Sequence, residues 1–329
     1  AFEQLGNLIL NLSLEEKDDL FRRIQNQNNW FTPFAVESAL EGLVTLTQGS
    51  SLDQWLSVYD FPSSESRKKI GVLMAGNIPS VGFHDLMCVL ISGNDAHIKL
   101  SSGDSVLMNW LIKRLVELEP GFESRIQVSD FLKSKDAYIA TGSDNSSRYF
   151  NFYFGKYPSV IRSNRTSIAI LDGTETPEEL NRHGIDIFLY FGLGCRNVSK
   201  IYVPSEDLLT KLLDNLESYK WVGEHHKYLN NYEYNKSIYL VNKEPHLDNG
   251  FLILKSSEDL VSPIGVLFYE VYEDRLSLDS RLDRVNEKIQ CKITKVGKGK
   301  NEVRFGQAQF PGPWDYADGV DTMRFLLGL

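Results

Sequence analysis

The chain has 329 residues, 42% of them hydrophobic, and a formal net charge of −9 at neutral pH. That composition supports a sizeable core and one large domain or two, excludes a disordered chain, and argues against a general nucleic-acid surface. Three cysteines without a spacing motif argue against a disulfide framework. With no basic segment ahead of the first apolar run and no run of roughly 18 apolar residues, a cytoplasmic protein without a membrane span is expected.

The first predicted element is a helix over "SLEEKDDLFRRI", where Ser13 and Glu16 have capping-box spacing. A second begins at "TPFAVESALEGLVTL", with Thr32 as cap and Pro33 in the first turn. A polar connection around a short helix follows, "SSLDQWLSVYDFPSSESRKK". From Lys69 the pattern changes to strands and helices in alternation. "KIGVLMAGN", "AHIKL", "DAYIATGS" and "SIAILDG" read as strands, and "SVGFHDLMCVLISG" and "SVLMNWLIKRLVEL" as helices. Such alternation predicts βαβ units and a parallel sheet, whose ligands bind beyond the carboxyl ends of the strands. The segments to inspect are therefore "AGNIPS", "KLSSGD" and "TGSDNSS".

Further on, "SEDLLTKLLDNLESY" reads as a helix, and "YEYNKSIYLV", "GFLILK" and "VSPIGVLFYEVY" as three strands. "KITKVGKGKNEVRF" reads as a solvated basic hairpin, with phosphate contact as the other reading. The tail is rich in Gly, Pro and Asp and ends in a short apolar helix.

Cys195 lies in "GLGCRN", after an apolar segment and at an expected strand-to-loop transition. A lone cysteine is most often a small buried hydrophobe. Here Gly192 and Gly194 permit a tight turn, and Arg196 favours the reactive thiolate. Cys88 and Cys291 sit inside apolar helix and strand patterns and read as structural. Asn77, directly after a strand, is either a turn former before Pro79 or a side-chain donor to an oxyanion. Lys99, Ser101, Ser102, Gly142 and Ser143 all follow expected strands and suit phosphate or ribose contacts, although no full nucleotide fingerprint is present. The adjacent His225 and His226 face different sides of a strand, so no metal site is expected. His84 and Asp85 read as decoration on a helix.

Taken together, several stretches resemble the LuxC-type acyl-CoA reductase family, a branch of the aldehyde dehydrogenase superfamily known from bacterial luminescence. They are "GNIPSVGFHDLMCVLISGNDAHIKLSS", "TGSDNSSRYFNFYFG", "FGLGCRNVSKIYVP", "NNYEYNKSIYLVNKEPHLDNGFLILK" and "DYADGVDTMRFL". The resemblance implies an aldehyde-dehydrogenase-like α/β fold with a Rossmann-type cofactor domain over residues 1–165. It implies an α/β catalytic domain over 166–305 and a tail, 306–329, packing back near the active site. Cys195 matches the nucleophile that carries the acyl group as a thioester, and Asn77 the oxyanion asparagine. Gly76, Lys99, Ser101, Ser102, Gly142, Ser143 and Ser146 fall on the cofactor side. The implied reaction is reduction of a fatty acyl-CoA, or another activated acyl group, to the aldehyde.

Three departures refine this. "SVIRSNRTSIAI" lacks the glutamate with which hydrolytic relatives activate water, which favours a persistent thioester awaiting hydride. Ser102 stands where NAD-preferring relatives often carry glutamate, so NADPH is expected, with NADH as the alternative. Ser262 stands where a glutamate usually grips the nicotinamide ribose. Expected partners are acyl-CoA or an acyl-donor protein, an acyl-protein synthetase, and a second copy of the chain, although the usual oligomerisation hairpin is not located. The competing readings are a cysteine-dependent acyltransferase or thioesterase without nicotinamide chemistry, and a non-enzymatic protein that kept the fold.

Overall fold

The computed structural model describes residues 1–61, 66–142, 144–299 and 301–329. They form two compact units, one of Ala1–Asn164 with Pro311–Leu329, the other of Arg165–Phe310.

The first unit begins with α1 (Phe2–Leu10), α2 (Leu14–Gln27), α3 (Pro33–Leu46) and α4 (Gly49–Leu56). The two helix starts legible in sequence form as expected. Ser13 and Glu16 make the reciprocal capping box of α2, and Thr32 caps α3 ahead of Pro33. Then come β1 (Lys69–Leu73), α5 (Phe83–Ile91), β2 (Asp95–Lys99), α6 (Ser105–Leu118), β3 (Ile126–Val128), β4 (Ala137–Thr141), α7 (Asp144–Phe154) and β5 (Ser159–Arg162). These strands form a parallel sheet in the order β3-β2-β1-β4-β5. The apolar runs of β1, β2 and β4 are buried against α1, α3, α5 and α6 in one hydrophobic core, as expected for parallel strands covered by helices.

The second unit holds β6 (Thr166–Ile170), α8 (Pro177–Phe188), β7 (Val198–Val203), α9 (Asp207–Asn215), α10 (His226–Val241), β8 (Leu247–Asp248), β9 (Ile253–Ser256), β10 (Val266–Val271), α11 (Arg275–Arg284), β11 (Ile289–Thr294) and β12 (Glu302–Val303). Its sheet order is β12-β11-β6-β7-β10-β9-β8, parallel except for β8 against β9. α12 (Thr322–Leu327) closes the chain in the first unit.

Four expectations change. "YEYNKSIYLV" is helical, within α10, because its buried residues Tyr228, Tyr232, Asn235 and Tyr239 recur at helical spacing. His225 caps that helix and His226 begins it, so the pair does not lie on a strand. The basic stretch is not a hairpin: β12 lies parallel to β11, which requires the connection to travel back along the strand. His84 and Asp85 are also more than decoration. His84 Nε2 lies 2.9 Å from the Pro313 carbonyl oxygen, and Asp85 is buried in an ion pair with Arg162.

The tail is fastened by buried polar contacts. Arg162 Nη1 donates to Asp85 at 2.6 Å and Nη2 to the Thr322 hydroxyl at 2.8 Å. Trp55 Nε1 donates to the Tyr316 hydroxyl at 2.7 Å. The first residues of the expected tail, through Phe310, instead stay with the second unit, where Gly306 and Ala308 donate their backbone N–H groups to the buried Asp186 carboxylate.

Candidate active site

In the first unit the three expected turns leave adjacent strands on the same edge of the sheet. Gly76 and Asn77 follow β1, Lys99 ends β2 with Ser101 and Ser102 beyond it, and Gly142 follows β4. Because these strands are parallel neighbours, their carboxyl ends converge, the place where such sheets bind ligands. The first two turns touch. A Cβ on Gly76 would fall 2.5 Å from the Ser101 Cβ, so only glycine fits there. Asn77, Lys99 and Ser102 are exposed, and Ser101 is half-buried. Ser146, in the first turn of α7, packs against Gly142. Ser143 lies outside the described residues.

Asp104, at the N-cap of α6, links the two turns. Its side chain does not cap the helix; it accepts the Ser80 backbone N–H at 2.8 Å. Burial pushes the Asp104 carboxyl up to about 8, against the opposing pull of the Ser80 N–H.

These features meet the needs of a dinucleotide: close-packed glycine turns at the carboxyl edge of a parallel sheet, an exposed ammonium, and a helix starting beside a glycine.

In the second unit Cys195 sits in a turn between α8 and β7. The segment "IDIFLYF" ends a helix, so the transition is from helix to strand rather than from strand to loop. The approach is strained. Tyr190 and Phe191 both have positive φ, +68° and +56°, and Gly192 continues at +80°. Non-glycine residues in that region persist only where surroundings hold them, and they gather at functional sites.

Asn197 holds this turn. Its Oδ1 accepts the Gly194 N–H at 2.9 Å, and its Nδ2 donates to the carbonyls of Asp186, Ile187 and Leu189. From the strand side, the Ser167 hydroxyl donates to the Cys195 carbonyl at 3.0 Å. Cys195 is partly exposed, whereas Cys291 is buried, and burial pushes the Cys291 thiol up. Cys88 is buried too, and its thiol is raised well above the ordinary range for the same reason. Of the three thiols, Cys195 alone has the access a nucleophile needs.

A narrow apolar cleft borders the turn, lined among others by Phe188, Phe191, Gly192, Asn197, Tyr228 and Ser262. Ser262 therefore stands beside the cysteine turn. Its hydroxyl donates to the Val266 carbonyl at 2.6 Å.

Asn197, Ser167 and Asp104 were not singled out from sequence. Asn197 was visible only as the last letter of "GLGCRN", where Asn beside a glycine turn is common. Asp104 was visible only as the last letter of "KLSSGD".

The model of a family described as acyl-CoA reductase (LuxC) matches residues 8–212. A long-chain acyl-protein thioester reductase from Aliivibrio fischeri is 24% identical over an alignment of 217 residues that covers 58% of this chain and 45% of that protein. The match thus spans under half of that relative's length. Among solved structures, an aldehyde dehydrogenase from Brucella melitensis biovar abortus superposes with a TM-score of 0.63 at 11% identity, covering 93% of this chain and 81% of that one. An NADP-dependent enzyme from E. coli gives 0.60 at 12% identity, covering 91% and 77%. An AldC mutant from Pseudomonas syringae, in complex with NAD+ and octanal, gives 0.59 at 12%, covering 88% and 70%. The fold is that of the aldehyde dehydrogenases.

Proposed function

The chain belongs to the LuxC acyl-CoA reductase family, and on that premise we propose that it reduces an activated fatty acyl group to the aldehyde through a thioester on Cys195. The observation that carries the reading is the Cys195 turn: a partly exposed thiol in a strained, side-chain-braced loop, beside a narrow apolar cleft.

In this scheme the Cys195 thiolate attacks the acyl carbonyl and the donor's thiol leaves. The Cys195 backbone N–H and the Asn77 amide are the assigned oxyanion donors, each of a kind whose loss typically costs about 10²–10³ in rate. No carboxylate occurs between Ser159 and Ile170, so nothing in that stretch activates water against the thioester. Gly76, Lys99, Ser101, Ser102, Gly142, Ser143 and Ser146 are assigned to the cofactor, NADPH in preference to NADH because Ser102 does not repel a 2′-phosphate. When bound, the cofactor supplies the hydride. The tetrahedral alkoxide then on Cys195 re-forms its C=O bond as the C–S bond breaks, releasing aldehyde and the thiolate. The acyl donor is an acyl-CoA or an acylated protein partner supplied by a synthetase.

The test is intact-mass and peptide-mapping spectrometry after exposure to a series of acyl-CoAs. One acyl group should add at Cys195 in the parent chain and none in Cys195→Ala, while NADPH still quenches tryptophan fluorescence in both. An alanine variant that made aldehyde at the parent rate would end the proposal. Acylation without any NADPH binding would favour a thioesterase or acyltransferase.

A further inference from the structure

The turn that carries Asn77 ends in a residue whose backbone is held in an unfavourable conformation. Ser80 has φ +56°, in the left-handed region that a serine rarely adopts. Its N–H is received at 2.8 Å by Asp104, which is almost fully buried. The Asp104 Cβ, one bond from that carboxyl, packs beside Gly76: a Cβ there would lie 3.2 Å from it. The neighbouring Gly103 lies equally close, its own Cβ position 2.9 Å from the Gly76 carbonyl oxygen. From the start of α6, Asp104 thus holds the Ser80 end of the turn by a hydrogen bond and packs its Cβ against the Gly76 end. Its other oxygen, Oδ1, is buried and makes no hydrogen bond. Such an arrangement is unfavourable for stability alone, since a buried polar atom without a partner is costly. A helix-capping role does not account for it, because the side chain makes no cap contact.

We propose that Asp104 is a positioning residue for the reaction, holding the Gly76–Ser80 turn so that Asn77 presents its amide in one orientation. The inference rests on the oxyanion role proposed for Asn77. Asp104 itself touches no reacting atom. The Ser80 contact requires one acceptor oxygen in this place, not a negative charge. An amide of the same shape meets that requirement, and alanine does not.

The test is the single-turnover rate of Cys195 acylation by tetradecanoyl-CoA, followed by quenched intact-mass spectrometry, with the NADPH dissociation constant measured alongside. Asp104→Ala is expected to lower the acylation rate at least about tenfold, less than the about 10²–10³ expected for losing the donor itself. The NADPH constant should change less than about threefold, and Asp104→Asn should stay within about threefold of the parent rate. In an Asn77→Ala background, Asp104→Ala should cost less than about a further twofold, because the residue acts through Asn77. Ser80→Gly should restore much of the rate lost in Asp104→Ala, since glycine adopts φ +56° without a tether. An equal loss in the Asn77→Ala background overturns the proposal, as does a parent-like rate in Asp104→Ala. If Asp104→Ala does not fold, Asp104→Asn decides, and a rate well below parent in that isosteric chain overturns it. A parent chain that takes no acyl group at Cys195 instead overturns the proposed function, and this inference with it.

Discussion

The carboxamide of Asn197 joins the turn just before Cys195 to the end of the helix that leads into it. Its Oδ1 accepts the Gly194 N–H at 2.9 Å and its Nδ2 donates to the Leu189 carbonyl at 2.6 Å. One buried side chain therefore fixes both the strained approach and the turn itself. Asn197→Ala strands these groups, and the expected cost is about 2–4 kcal/mol in urea unfolding. Acylation of Cys195 should slow at least about tenfold even at temperatures where the variant stays folded. A variant with parent stability and rate would show that the turn holds its shape without the side chain.

Arg162 gives a prediction about the tail. It pairs with Asp85 across 77 residues of sequence and with Thr322 of α12, all three buried. Arg162→Met leaves Asp85 buried without its cation, and a loss of about 3–5 kcal/mol is expected. Removing both partners in Arg162→Met, Asp85→Leu should cost clearly less, because no unpaired charge remains. Chemical denaturation of the two variants checks the order, and hydrogen exchange should show α12 opening in the single variant.

Asp104 predicts a pH dependence of stability. Its carboxyl is pushed up to about 8 by burial, while in the unfolded chain it titrates near its ordinary 3.8. Between these values the native chain holds a proton that the unfolded chain lacks. Its contribution is fully present below about pH 4 and is lost as pH rises through about 8. The slope is at most about 1.4 kcal/mol per pH unit for one proton. Asp104→Asn should flatten this part of the stability curve measured from pH 4 to pH 9. An unchanged slope would place the titration elsewhere.

Two glycines separate close packing from open space. Gly76→Ala puts a methyl group against Ser101 and should cost about 1–3 kcal/mol while weakening NADPH binding. Gly42, inside α3, has nothing within 4 Å of a Cβ position. Gly42→Ala should stabilise by about 0.5–1 kcal/mol and leave NADPH binding alone. Thermal unfolding and fluorescence titration of both variants make the comparison.

Ser102 bears on cofactor choice. It is exposed just beyond β2, three residues after the exposed Lys99. Ser102→Glu brings a carboxylate that repels a 2′-phosphate, and NADPH affinity should fall about tenfold with NADH changed much less. Equal loss of both cofactors would mean the position does not face the ribose.

The features legible in advance were those set by near neighbours along the chain. Ser13 with Glu16, and Thr32 with Pro33, announce helix starts because caps act over three or four residues. Strands running into "AGN", "KLSS" and "TGS" announced the parallel sheet for the same reason, and the motif around Cys195 carried the family resemblance. Misreadings came where two local signals conflicted. In "YEYNKSIYLV" aromatic and branched residues favour a strand, but Tyr232, Asn235 and Tyr239 share one buried helical face, and packing decided.

Residue types and their short-range spacing were thus enough to give the fold class and the family, and to single out Cys195 from the two buried cysteines. Only folding in three dimensions selected Asn197 to brace that cysteine's turn, Asp104 to receive Ser80, and Asp85 to meet Arg162. The reason is physical. Periodicity and capping are properties of a few adjacent residues, whereas a buried hydrogen bond between residues 24 or 77 positions apart exists only once packing has excluded water from both.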